Sequence, residues 1–406
     1  MANSLGAGGK ENLPSKRNSL IAALSIAVSM IVMIAAISIS DGFSKEISEK
    51  VTGFVGDLII KVPGEEPSNT LYPVTLTSEI IDSIYKIKGI AKVQGIAYAS
   101  GVMKHNDQIE GVMLKGVDSR YDWSFIRDHL TKESLTTWRD TLGKDEIVIS
   151  ARLSSLLGIS AGDRPFIYFM GESVKVRRYT VAAIFDARLE ELDKGLIFCN
   201  IENTRGLVGW NENQYSSLEI LIKSAKGRAA TAELIENIII NEDDSFIDAQ
   251  VATPEEIFPH LFDWLSLLDF NVMIVISLMM VVAGFNMISG LLIILFEKIS
   301  MIGILKSLGM RDSSIHKIFL YRALIIVLKG MAGGNIAAII LLLIQKIFKI
   351  IPLDPENYFV THVPVDLNFF KILILDIIAL AVIAAILYIP SVFISGVEPD
   401  KSLRQK

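Results

Sequence analysis

Cysteine is almost absent. The one residue present, Cys199, excludes an internal disulfide and is uninformative about compartment, because many exported bacterial domains lack disulfides. Histidine is scarce as well. His105, His129, His260, His316 and His362 are scattered, and no Cys/His spacing suggests a zinc site. No Gly-x-Ser-x-Gly elbow occurs. The segment GAGGKE near the N-terminus fails as a phosphate loop twice: Ser4 stands where the first glycine is required, and Glu11 follows the lysine where Ser or Thr is required. The acidic clusters Glu190-Glu191-Asp193 and Glu242-Asp243-Asp244 read as solvated loops. These absences leave no catalytic constellation, no metal site and no cofactor site, so the chain is expected not to be an enzyme.

Apolar surface is abundant. The 406 residues are 51% hydrophobic and 21% charged, too apolar for an ordinary soluble protein and too charged for an all-membrane one. The two figures agree if the classes are segregated, and they are. Four apolar runs, each on the order of 20 residues or more, occupy Ser19–Ser40, Asn271–Phe296, Ala323–Ile344 and Phe369–Ile389. The first leads into charged DGFSKEISEK rather than a small-residue cleavage site, so it reads as an uncleaved anchor. The expected organisation is a cytoplasmic segment 1–18, a span at 19–41 and an extracytoplasmic domain at 42–268. A second span at 269–296, a cytoplasmic loop at 297–317 and a third span at 318–346 follow. A short outer loop at 347–368, a fourth span at 369–391 and a cytoplasmic tail at 392–406 complete it.

Charge sets the orientation. Lys10, Lys16 and Arg17 precede the first run; Lys298, Lys306, Arg311, Lys317 and Arg322 lie between the second and third; Lys401, Arg404 and Lys406 end the chain. Residues 41–269 carry 24 basic and 36 acidic side chains, whereas the remainder is net positive. The positive-inside rule therefore places both termini and the 297–322 loop in the cytoplasm and the large acidic domain outside. Nothing suggests nucleic-acid binding.

Within the outer domain two stretches share a pattern. DLIIKV (57–62), SEIIDSIYKIKGI (78–90) and KVQGIAYAS (92–100) read as strand, amphipathic helix and strand. SLEILIK (217–223), AATAELIENIII (229–240) and FIDAQVAT (246–253) repeat that order, and the two units suit one α+β layer. The middle, about 105–215, is richer in strands: IEGVMLKGV, EIVIS, PFIYFM, VKVRRYTVAAIF and GLIFCN, interrupted by helices such as ARLSSLLG. It reads as an inserted β-rich subdomain. FMGESVKV, with Gly171-Glu172, suits a short hairpin.

Polar residues inside the spans are Asn286, Lys329, Asn335 and Asp376. The depths of Lys329 and Asp376 differ by several ångströms at the rise of a helix, within reach of a long lysine, which suits either a packing pair or a proton relay, and the glycines Gly330, Gly333 and Gly334 suit close helix packing. The junctions at Asp41–Phe43 and Asp263–Phe270 lack Gly-rich linkers, so SKEISEK and PHLFDWLSLLDF are expected to continue as stiff helices.

The stretch EKISMIGILKSLGMRDSSIHKIF (297–319) puts Ile299, Ile302, Leu305 and Leu308 on one helical stripe. Gly309 suits the position just past a helix end, and Asp312 or Ser313 the cap of the next helix. Such a helix either rests on lipid or docks into a partner's groove.

This stretch resembles the E-(R/K)-x-x-E-I-(G/A)-I-L-(R/K)-x-(L/Q)-G signature of the FtsX-like permease family, which includes MacB-type and LolC/LolE lipoprotein-releasing permeases. Met301 stands where the usual pattern has an acidic residue. ISDGFSKEISEKVTGFVGDLIIK, IEGVMLKGVD, VISARLSSLLGISAGD and YIPSVFISGVEPDKSLR resemble further LolC/LolE segments in the same order. The resemblance implies an α-helical membrane protein with four transmembrane helices, one plus three, around a large extracytoplasmic α+β domain. That domain is a porter-like layer with an inserted β-rich subdomain. It implies a dimer with a second permease copy or paralogue, and a separate LolD-like cytoplasmic ATPase that binds ATP and Mg. That ATPase would dock on Glu297, Lys298, Ile302, Gly303, Ile304, Leu305, Lys306, Leu308 and Gly309. Its partners would be membrane lipids, lipoprotein cargo and a LolA-like periplasmic carrier.

Apolar positions beside the outer boundary of the first two spans, Met33, Ile37, Phe43, Phe262, Leu265, Leu268 and Met273, suit either a path for cargo acyl chains or dimer packing. LolC-type members capture the carrier with a protruding hairpin. FMGESVKV offers only a tight turn at that place, which points to a LolE-type subunit or to a different mode of recruitment. Two rival readings remain. An FtsX-type division permease that activates a wall hydrolase normally has a smaller outer domain, and a MacB-type efflux permease normally carries a fused ATPase, for which this chain has no sequence.

Overall fold

The computed structural model describes residues 13–170, 174–189, 193–224, 227–241 and 249–392. GAGGKE, Gly171-Glu172, Glu190-Glu191, Glu242-Asp243-Asp244, the start of FIDAQVAT and the tail from residue 393 lie outside the described residues. The contacts divide the chain into two compact units. One comprises Met1–Lys45, Trp264–Pro352 and His362–Lys406, and the other Glu46–Asp263 with Leu353–Thr361.

The first unit is built from helices because, in lipid, only internal hydrogen bonds satisfy the backbone. It contains the start of α1 (Leu13–Val55), most of α6 (Pro259–Glu297), α7 (Ile299–Ser307), α8 (Asp312–Phe348) and α9 (Phe369–Val392). α1, α6, α8 and α9 are long and apolar enough to cross a membrane. The first two run past the expected spans: α1 is one helix to Val55, and α6 starts at Pro259.

Helix α1 is the hub of this unit. Ile26, Met30, Met33 and Ile34 are fully buried against Met287, Leu291, Val327, Met331, Ala379 and Ile383. Glycines allow the approach. A Cβ on Gly330 would lie 2.6 Å from the Ala23 carbonyl oxygen, and one on Gly334 2.7 Å from that of Ala27. Two glycines four residues apart on α8 thus seat it directly on the α1 backbone.

The second unit carries a ten-stranded sheet among its described residues, with its main path in the order β12-β1-β11-β3-β4-β9-β5-β8. These strands are β1 (Leu58–Lys61), β3 (Ile90–His105), β4 (Gln108–Val117), β5 (Glu146–Ser150), β8 (Thr180–Phe185), β9 (Leu196–Asn200), β11 (Ser217–Ile222) and β12 (Gln250–Ala252). β6 (Phe166–Phe169) joins the side of β3, and β7 (Lys175–Arg178) pairs with β6. A separate small ladder joins β2 (Val74–Thr75) to β10 (Gln214–Tyr215).

The two strand–helix–strand patterns share one sheet, as expected, and within it their strands interleave. β11 lies between β1 and β3, with Leu58 opposite Ile220 and Val93 opposite Ile220 on the other side. Their helices, α2 (Ser78–Tyr85) and α5 (Arg228–Asn241), cover this half around Leu58, Ile60, Ile81, Ile84, Leu218, Ile220 and Ile235. The middle segment has its own core of Ala99, Met103, Leu114, Ile147, Ile149, Leu153, Ile167 and Ile197. It does not have its own sheet: the 16-residue β3 serves both halves.

α3 (Ala151–Leu157) is capped by the Ser150 hydroxyl, which accepts from the Leu153 amide, and ends at left-handed Gly158. α4 (Ile201–Val208) follows β9 directly and is capped by Asn200. VKVRRYTVAAIF is not one strand. It divides at Tyr179 into β7 and β8, because β7 follows β6 while β8 pairs in parallel with β5. Asp193, expected in a solvated loop, is buried.

The loop between α8 and α9 is more than a short connection. Residues 353–361 cluster with the outer unit, where Lys50 Nζ donates to the Phe359 carbonyl at 2.7 Å and Val360 is fully buried.

Candidate functional site

The segment between α6 and α8 folds as the sequence stripe predicts, but with its faces assigned differently. α7 ends in a complete Schellman motif: Gly309, at φ +84°, donates its amide to the Lys306 carbonyl at 2.9 Å, and Met310 donates to the Leu305 carbonyl at 3.0 Å. α8 then begins at Asp312 with Arg311 in the extended N-cap position, one residue earlier than the expected Asp312 or Ser313 cap.

Ile302 and Gly303 are buried, and Leu305 is half-buried against the core that holds Ile315 and Phe319. The stripe of Ile302 and Leu305 is thus satisfied within the chain. The outward apolar side chains are Met301, Ile304 and Leu308, with Leu308 78% exposed. They follow at spacings of three and four residues, one face of the helix. Glu297 and Gly309 are exposed, and Lys298 and Lys306 are half-buried.

At the other end of the spans, the sequence DGF (41–43) forms a packing knot. A Cβ on Gly42 would lie 2.6 Å from the carbonyl carbon and oxygen of Pro364, so only glycine lets the irregular segment before α9 press on α1. Around it, Lys371 pairs with Asp41 at 2.5 Å and Lys45 with Asp366 at 3.1 Å. The Asp366 amide donates to the Ser38 carbonyl, and Ser40 Oγ donates to Asp269 at 2.6 Å. Phe43 stands edge-on to Trp264, with ring centroids 5.9 Å apart.

The positions proposed for a cargo path are not gathered on one surface. Met33 is fully buried in the helical core, and Phe43 and Leu265 are buried too. Ile37, Phe262 and Leu268 are half-buried, and Met273 is exposed. The apolarity of Met33, Phe43 and Leu265 thus serves packing within the chain. Exposed apolar side chains of α6 include Met273 and, at spacings of three and four residues, Leu267, Phe270, Ile274 and Leu278, each more than half exposed.

The intramembrane pair is also reassigned. Asp376 Oδ2 accepts from Asn335 Nδ2 at 2.7 Å. Lys329 is exposed and has no partner among the described residues. Lys329 precedes Asn335 by six residues, which at 3.6 residues per turn puts it on a different face of α8. On α6, Asn286 donates to Ser25 Oγ and joins α6 to α1. Among the described residues no group of three or more His, Cys, Asp or Glu side chains is placed to hold a metal ion.

Sequence reading missed the network at Asp41, Gly42, Lys45, Asp366 and Lys371, and a buried Lys115–Glu219 ion pair in the sheet. The readable signal for the latter was a charge in the middle of two apolar strands, VMLKGV and SLEILI.

Residues 273–399 match the FtsX-like permease C-terminal family, and residues 19–238 match the MacB-like periplasmic core domain family. A lipoprotein-releasing system transmembrane protein LolC from Xylella fastidiosa is 20% identical over 406 residues, covering 95% of this chain and 93% of the relative. A LolE from Haemophilus influenzae is 21% identical over 392 residues, covering 90% of each. Among solved structures, the periplasmic region of MacB from Actinobacillus actinomycetemcomitans is 11% identical, with a TM-score of 0.34, covering 53% of this chain and 98% of that one.

Proposed function

The chain belongs to the FtsX-like ABC-transporter permeases with a MacB-like periplasmic core domain, and on that premise we propose that it drives lipoprotein release from the bacterial inner membrane. Members of this family are typically non-catalytic membrane subunits, and an ABC permease implies an ATPase partner. In this reading both termini are cytoplasmic, and ATP and Mg act in a separate LolD-like subunit. A second permease copy or paralogue completes the membrane assembly. Cargo passes to a LolA-like periplasmic carrier.

The observation that carries the reading is similarity along the whole chain, not in one domain, to relatives named for lipoprotein release. The cytoplasmic helix α7 supports its ATPase half. Its inner stripe is spent on the chain's own core, yet it still exposes Met301, Ile304 and Leu308. An apolar helix face of this kind fits a groove on a protein partner. For cargo, the exposed α6 stripe of Leu267, Phe270, Ile274 and Leu278 replaces the buried Met33, Phe43 and Leu265 as the surface open to an acyl anchor.

The test is reconstitution. The chain, purified with whatever ATPase and second permease accompany it, is placed in liposomes holding a triacylated lipoprotein. ATP with Mg should move lipoprotein to a soluble carrier, and omitting ATP should stop it. Activation of a wall hydrolase without lipoprotein release would instead assign the chain to the division branch.

A further inference from the structure

The sheet of the outer unit buries a charge pair that packing does not require. Lys115 on β4 is fully buried and Glu219 on β11 is 2% exposed, with Nζ 2.6 Å from Oε1. Gln94, on β3 between them, donates to the other oxygen of Glu219 at 3.4 Å, and its own Oε1 accepts from the Asp122 amide at 2.9 Å. The Lys115 ammonium also lies 5.5 Å from the ring centre of Tyr121 and 5.6 Å from that of Phe198. Removing two charges from water is costly, and a well-packed apolar pair usually serves stability as well. A retained pair therefore invites a specific task.

That task is legible in the third contact of Lys115. Its ammonium donates to the carbonyl of Phe54, in the last turn of α1. The last carbonyls of a helix have no partner inside it, and they form the negative end of its dipole, where a cation is favoured. The surroundings fix the same turn. A Cβ on Gly53 would lie 2.2 Å from the Phe125 ring. Phe54 is 1% exposed, edge-on to Phe125 with centroids 5.0 Å apart. Gly56, at φ +80°, turns the chain so that Asp57 donates to the Ile220 carbonyl at 2.9 Å, one residue beyond Glu219. Helix end, lysine and glutamate thus form one buried joint.

We propose that Lys115 is a positioning residue for force transmission: held by Glu219, it grips the Phe54 carbonyl so that the sheet follows any displacement of α1. α1 is a single helix from Leu13, and a rigid element with a fixed end is what carries a displacement between distant sites. The inference rests on the ATP-driven reading above, but its first two measurements need no cargo.

The first uses the unmodified protein. In hydrogen exchange on the complex, the amides of Phe54, Val55 and Gly56 should be protected to within about tenfold of the Leu218 and Ile220 amides. Exchange at least a hundredfold faster, as at a frayed helix end, would overturn the joint.

The second uses spin labels at Glu49→Cys on α1 and Gln108→Cys on the sheet. Their separation should stay narrow and unchanged between nucleotide-free and vanadate-trapped states. In Lys115→Met/Glu219→Gln it should broaden or shift with nucleotide. Identical distributions in the two proteins would reject the proposal. Third, ATP hydrolysis by the double variant should stay within about twofold while lipoprotein released per ATP falls at least tenfold. If the unmodified complex releases no lipoprotein, the release reading fails, and the exchange and distance measurements still decide the joint.

Discussion

Cys199 lies on β9 in the core of the middle segment, beside Leu114, Ile147 and Ile149, fully buried. Burial disfavours the thiolate and pushes its pKa far above the ordinary thiol value. The thiolate is the reactive species, so reactivity should not appear as the pH rises through the range in which a free cysteine ionises. The native chain at pH 9 should take up no iodoacetamide during a time that modifies an exposed cysteine completely. The same chain in denaturant should react. Native labelling would mean that this core opens. Asp376 carries a similar lesson about single residues. Its depth was legible in the sequence, its partner Asn335 was not, because the partner depends on how α8 and α9 are rotated.

At the scale of elements, α8 and α7 give opposite tests of what a face does. Gly334 has backbone of α1 against it, whereas nothing lies within 4 Å of a Cβ added at Gly333. Gly334→Ile should cost about 1–3 kcal/mol through overpacking and lower the unfolding midpoint in detergent. Gly333→Ala should leave the midpoint unchanged or raise it slightly, since alanine favours helix. Equal effects would show that the glycine contact is not tight.

On α7, Ile304→Asp and Leu308→Asp should abolish co-purification of the ATPase while the chain still folds and inserts. Leu305→Asp should instead lower thermal stability, because Leu305 packs inward. Retained co-purification with both outer-face variants would return α7 to a helix resting on lipid.

At the scale of the molecule, α1 and α6 pass without a break through the junctions at Asp41–Phe43 and Asp263–Phe270. Helices are stiff where Gly-Ser segments are not. Inserting about six Gly-Ser residues after Ser44 should leave ATP hydrolysis and the sheet intact and stop ATP-dependent release. Release at the normal rate would make the outer domain a passive docking platform. The insertion and the Lys115→Met/Glu219→Gln variant break the same path at two points, so combining them should give no greater loss than the insertion alone.

Span number, one-plus-three order and the strand–helix–strand halves of the outer domain were determined by the sequence alone, because lipid length and hydrophobic periodicity act locally along the chain. So was the Schellman end at Gly309, which needs only a residue tolerant of positive φ. Which face of α7 remains outward, which side of the spans Met33 occupies and which residue meets Asp376 were decided by tertiary packing, since each depends on the rotation of one helix against another. The joint at Phe54, Lys115 and Glu219 belongs to the second kind. Its three residues are separated by 61 and 104 positions in sequence. They meet only because β11, β3 and β4 lie side by side and the end of α1 reaches the ammonium in their midst.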